Sequence, residues 1–310
     1  MPTHTTRRRF LASFLSLAAA PAEGFSLFGK QRARDLGKIY EYLQDVSLRI
    51  KETGSQRITI KNVIFSYEEF NDEWENFDFV DCDFNVGYNI GLNWLVKCTF
   101  TNCRFSGHLG FGDAKDVKFV KCTVNGKSTM AFAYKTTNLV FESCTFRNVN
   151  YDPNHEGGIV SKGEILFLDC KAEGAFVLES YKKLTLHHCT TSSTRLATAP
   201  AGLFSDKSKM PYSDFLLEDC DFTSGIRMSN AKLNSFIMRN CKLGVFKPLF
   251  PVIRDFALFE GIKKGHLNIS SYDLLGKLTV RDCSFFTPGD DGYSFRCSGA
   301  FAAHTLIENV

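Results

Sequence analysis

A six-residue phrase of two apolar alternations ending in cysteine returns about every twenty residues between Ile58 and Cys283. It reads Phe77-Asp-Phe79-Val-Asp-Cys82, Cys98-Thr-Phe100-Thr-Asn-Cys103, Val117-Lys-Phe119-Val-Lys-Cys122 and Leu139-Val-Phe141-Glu-Ser-Cys144. It continues as Ile165-Leu-Phe167-Leu-Asp-Cys170, Leu184-Thr-Leu186-His-His-Cys189, Phe215-Leu-Leu217-Glu-Asp-Cys220, Phe236-Ile-Met238-Arg-Asn-Cys241 and Leu278-Thr-Val280-Arg-Asp-Cys283. Weaker copies end at Val63 and Gly261. A fixed period in this range is the signature of a stacked solenoid, whose units cannot bury their apolar faces alone.

Within each copy, residues two apart are apolar while the one between them varies, the period of a strand with one buried face. After the anchor comes a second alternation, as in Cys82-Asp-Phe84 and Cys144-Thr-Phe146, and then a glycine and a third, as in Gly225-Ile-Arg-Met228 and Gly265-His-Leu267. A coil of about twenty residues therefore holds two or three short strands and no helix. The residue before the anchor is Asn or Asp in most coils (Asn62, Asp81, Asn102, Asp169, Asp219, Asn240, Asp282), types that tolerate left-handed backbone and mark a corner. The expected fold is an all-β, right-handed parallel β-helix solenoid of about eleven coils. At about 4.8 Å per strand, that is a rod of roughly 50 Å.

These motifs, across about residues 56–297, resemble the right-handed parallel β-helix (pectin-lyase-like) superfamily, which includes pectate lyases. Cys98-Thr-Phe-Thr-Asn followed by Cys103-Arg-Phe-Ser-Gly is also similar to the pentapeptide-repeat proteins. The chain departs from that pattern in placing the acid or amide before the small residue, and in having only two regular quintets per coil.

The ends read differently. Thr6-Arg7-Arg8-Arg9-Phe10-Leu11, an apolar stretch to Ala20 and then Ala20-Pro21-Ala22 resemble a twin-arginine export signal with a small-x-small cleavage site, although Ala12 stands where the motif has lysine. The stretch is too short for a permanent span. Residues 1–22 are thus expected to be a signal peptide, and the mature chain to be periplasmic, with secretion the alternative. Leu36, Ile39, Leu43, Val46 and Ile50 recur at helical spacing. They predict an amphipathic helix within 23–55 that caps the first coil, with 298–310 capping the other end.

Eleven cysteines in an exported chain invite disulfides. Most of these, however, share one inward position on successive coils, where neighbouring Cβ atoms lie parallel and about 4.8 Å apart rather than the ~3.8 Å of a bridge. A packed row of free thiols is expected, with Cys297 the exception. His187-His188-Cys189 is the one dense run of ligating side chains. Strict alternation would send its members to opposite faces, so no metal and no cofactor is expected.

Catalysis has little to stand on. The resemblance implies a polysaccharide lyase with stacked acids for calcium and a basic proton acceptor, yet the outward positions of the repeat hold no acid triad. Asp290-Asp291-Gly292 and the pair His155-Glu156 read as turn and loop residues, and no catalytic residue is assigned. The outward positions instead offer an apolar stripe, Val140, Leu166, Leu168, Leu216, Ile237 and Phe259, the sort of patch that marks an interface unless the chain itself covers it. Two coil insertions, Asn150–Gly158 and Thr194–Ser213, supply candidate binding loops through Asp152, His155, Arg195, Phe204 and Tyr212. A net charge of +3, three of it from leader arginines, implies no nucleic-acid partner. Thirty phenylalanines fit inward stacking. The expectation is a non-enzymatic exported protein that binds another protein, such as an immunity protein or inhibitor restraining a periplasmic toxin or enzyme. The alternatives are a β-helix lyase or glycoside hydrolase and a cell-surface carbohydrate-binding module.

Overall fold

The computed structural model describes residues 26–27, 57–65, 73–132, 135–147, 149, 158–197, 212–222, 225–229, 231–249, 252–270, 276–285, 295–298 and 305–310. The chain is an all-β parallel solenoid, with no helix among the described residues. The export signal, the capping stripe 36–50 and the paired Asp290-Asp291 lie outside them.

Three faces wind around one core. The first is a parallel ladder from Ile58–Lys61 through Phe77–Val80, Thr99–Thr101, the end of Arg104–Val120 and Thr137–Glu142. It continues through Glu164–Leu168, Lys183–His187, Ser213–Glu218, Lys232–Arg239, Val252–Glu260 and Lys277–Arg281 to Thr305–Glu308. Within the segment 298–310, expected to cap the C-terminal end, Thr305–Glu308 is the last rung among the described residues. Ser26–Leu27 pairs with Thr59 and Ile60 at the other end. The second face stacks the short strands that follow each anchor, and the third carries the alternation beyond the glycines.

The repeat positions explain the core. Phe79, Phe100, Phe119, Phe141 and Phe167 stand in one column with ring centroids 4.6–5.1 Å apart and planes within 11° of parallel. A second column, Phe65, Phe84 and Phe105, meets the first edge to face, as at Phe84–Phe100 (5.6 Å) and Phe105–Phe119 (5.5 Å). Offset stacks along a column and T-shaped contacts across it are the two arrangements that the ring quadrupole favours. Between Phe167 and Phe259 the first column is aliphatic, with Leu186, Leu217 and Met238 all buried.

The corner before each anchor is left-handed throughout, including Asn62, Asp81, Asn102, Lys121, Ser143, Asp169, His188, Asp219, Asn240 and Asp282, with φ between 51° and 57°. Gly265 turns a different corner at φ 100°, and a Cβ there would meet the Leu243 carbonyl oxygen at 2.0 Å. Only glycine fits that approach.

Ten cysteines are buried and free. Each thiol of the main row donates to the carbonyl two residues back, and most also reach one in the preceding coil, as Cys122 does to Phe100 O (3.2 Å) and Cys144 to Phe119 O (3.4 Å). The row supplies small apolar volume together with donors for carbonyls at the corner.

One expectation is corrected. The copy ending at Gly261 is displaced by one residue. Gly261 takes the left-handed corner (φ 64°) and Ile262 the buried anchor position. Phe259, expected outward, pairs in register with Met238 and Val280 and is fully buried, as is Ala257. A one-residue slip exchanges the faces of a whole strand.

Candidate functional site

The outward rows of the first face form the candidate site. Because the ladder keeps its register, residues one strand apart stack along the rod axis at about 4.8 Å. The central row reads Val140, Leu166, Thr185, Leu216, Ile237, Leu258, Thr279 and Leu306. Its members from Val140 to Thr279 are half-buried, and Leu306 is 40% exposed. Leu168 belongs to the neighbouring row, between Glu142 and His187. Once the slip is corrected, Glu260 occupies the place expected of Phe259 in that neighbouring row, Leu258 joins the central row, and Phe256, 38% exposed, stands on the same face.

Charged rows flank this stripe. On one side, Glu142, Leu168, His187, Glu218, Arg239, Glu260 and Arg281 are in register. Glu260 joins two arginines from adjacent coils, with Arg239 Nε 3.0 Å from its Oε2 and Arg281 Nε 2.7 Å from its Oε1. On the other side run Glu164, Lys183, Asp214, Ser235, Phe256 and Lys277. Exposed pairs of this kind add little stability, but they fix the polarity of the rim. Near the C-terminal end, Asp255, Phe256, Leu258, Lys277, Thr279 and Arg281 line a shallow depression on the same face.

The expected loop residues separate. Asp152, His155 and Phe204 lie outside the described residues. Arg195 is a strand residue of the third face, paired with Val177 and Arg227, so the longer insertion begins later than Thr194. Tyr212 comes to the rim of the stripe. It leads into the strand Ser213–Glu218, and its ring receives Arg254 Cζ at 4.7 Å and Lys232 Nζ at 5.4 Å from its centroid. Cations over a tyrosine face are attracted by the ring quadrupole.

His187 and His188 also depart from expectation. Alternation predicts that they diverge, but His188 occupies the left-handed corner (φ 52°), where alternation lapses. Their ring centroids are 4.0 Å apart, and both side chains reach solvent. Register places Glu218 beside His187 in the next coil, and Asp219 takes that coil's corner. His187 Nε2 lies 3.6 Å from Glu218 Oε2 and 3.5 Å from Asp219 Oδ2; His188 Nε2 lies 3.6 Å from the same Asp219 oxygen. Asp169, in the preceding corner, places Oδ1 3.6 Å from His188 Nδ1.

No family model matches the chain, and comparison with curated proteins and with solved structures finds none that matches it. No helix among the described residues is long and apolar enough to cross a membrane.

Proposed function

We infer that this chain is an exported, right-handed parallel β-helix that binds another protein without catalysis of its own. In its most concrete form it is an immunity protein or inhibitor that holds a periplasmic toxin or enzyme in check. The rod of eleven coils expected from the anchors is the scaffold of this reading. The export signal read at Arg7-Arg8 supports the compartment.

The observation that carries the reading is the in-register row Val140, Leu166, Thr185, Leu216, Ile237 and Leu258, apolar but for Thr185 and bounded on both sides by mostly charged rows. An apolar centre with a polar, salt-bridged rim is the usual anatomy of a protein interface. A large aromatic at the rim, as at Phe256 and Tyr212, is the sort of residue that contributes most to such contacts.

The test compares the mature protein with a Leu216→Asp/Ile237→Asp variant, each used as bait for its native envelope fraction. One stoichiometric protein, retained by the wild type and lost by a variant with unchanged circular dichroism, is the expected result. Equal retention by both, or capture of nothing by the wild type, rules the reading out. Cleavage of a polysaccharide by the wild type would favour the lyase alternative.

A further inference from the structure

The cluster at the corner of two adjacent coils has the donors of a transition-metal site. We propose that His187, His188 and Asp219 bind a zinc-class divalent cation, with Glu218 or a solvent ligand completing the sphere. Among the described residues these three side chains form a group whose ligand atoms all lie within 4.8 Å of one another.

The distances favour a shared cation over direct bonds. Separations of 3.5 and 3.6 Å between the two Nε2 atoms and Asp219 Oδ2 are long for hydrogen bonds. A zinc ion with bonds near 2.0–2.1 Å in tetrahedral geometry sets its donors about 3.3 Å apart. Small rotations of half-exposed side chains are enough to close the site, since His187 is 34% exposed, His188 55% and Asp219 33%. Two imidazoles with one carboxylate suit zinc, nickel or copper; calcium and magnesium prefer all-oxygen sets.

The surroundings supply the second requirement. A ligating histidine normally offers its other ring nitrogen to a carboxylate, which fixes the tautomer and aims the free nitrogen at the metal. Asp169 Oδ1 sits 3.6 Å from His188 Nδ1, on the side of the ring away from Asp219. The corner column Asp169, His188, Asp219 thus reads as outer carboxylate, ligand, ligand, each member set at the same left-handed φ of 52–54°. The backbone is preset: His188 N donates to Glu218 O at 3.1 Å, which fixes the offset between the two coils.

The experiment is calorimetric titration of the untagged, folded full chain with zinc chloride, repeated with cobalt chloride to read the ligand field by visible absorption. One saturable equivalent is expected, with a four-coordinate nitrogen–oxygen cobalt spectrum. His187→Gln, His188→Asn and Asp219→Asn should each weaken zinc binding by more than about tenfold, and Asp169→Asn by about tenfold, the scale of a lost outer-shell partner. His188→Asn retains a residue that tolerates the left-handed corner, so its fold should survive. Circular dichroism of each variant confirms this. Absence of saturable binding would overturn the proposal. So would unchanged binding in the His187→Gln/His188→Asn double variant, or an intense thiolate charge-transfer band, which would place the metal on cysteine. None of these readouts depends on the partner proposed above.

Discussion

The side-chain amide of Asn102 donates to Asp81 Oδ1, one coil below, at 2.5 Å, and both residues sit in left-handed backbone. Asn309 does the same to Asp282 at 2.9 Å, and Asn138 to Asp116 at 2.7 Å on a different corner. Asparagine serves this corner twice, by tolerating the conformation and by bonding along the rod. Ser143 and Lys121 hold the same φ of 53° without that advantage. Ser143→Asn should therefore raise stability by up to ~1 kcal/mol. A urea midpoint that moves upward at unchanged slope would show it. A lower midpoint would mean that the corner is not where strain resides.

Among the described residues, Phe119 meets the rings of Phe100 (4.7 Å), Phe141 (4.6 Å), Phe105 (5.5 Å) and Phe132 (6.3 Å). Removing it opens a cavity that the flanking coils cannot close without losing register. Phe119→Ala should cost about 3–5 kcal/mol in denaturant unfolding. Phe256→Ala, on the outer face, should cost less than ~1 kcal/mol. Similar costs for the two would contradict the division between core column and rim.

Thiol chemistry gives a direct check on the cysteine row. Ten cysteines are buried and free. An aromatic disulfide reagent should find at most Cys297 in the native protein, and all eleven cysteines after denaturation without reductant. A deficit after denaturation would reveal disulfides.

Cys98 stands apart from the main row and donates to Trp74 O (3.2 Å) and Val96 O (3.4 Å). Burial pushes its thiol from an ordinary value of 9.0 up to about 12. Between those values the unfolded chain loses this proton while the folded chain keeps it. The thiol's contribution is thus complete below pH 9 and lost as pH rises, at about 1.4 kcal/mol per unit. The wild type should lose stability above pH 9 more steeply than Cys98→Val. Parallel pH profiles would show that the thiol ionises as easily folded as unfolded.

Much of this architecture was legible because every coil repeats the same decision. Phe79, Phe100, Phe119, Phe141 and Phe167 fall at one phase of the alternation, and a single period assigns them all inward. Leu216 and Ile237 were legible as outward for the same reason. Phe256-Ala-Leu-Phe259 is apolar at four consecutive positions, so its phase cannot be read from hydropathy. The readable signal was Gly261, which belongs to the Asn/Asp corner series. Counted from Ile262, the neighbouring anchors Cys241 and Cys283 are each 21 residues away. The meeting of His187 and His188 was hidden because alternation was extended through a corner, where a left-handed residue resets the direction of its side chain. Glu218 and Asp219 lie about thirty residues on, and only the winding of the coil brings them alongside.

A ladder in continuous register also determines which sequence changes the rod can absorb. Losing one whole coil would shorten it by about 4.8 Å and leave each remaining side chain facing as before. Losing one residue within a strand would turn that strand's core outward. Distances along the axis, such as that from Leu166 to Leu258, can therefore change only in steps of one coil. A surface that recognises several coils together measures length in whole numbers.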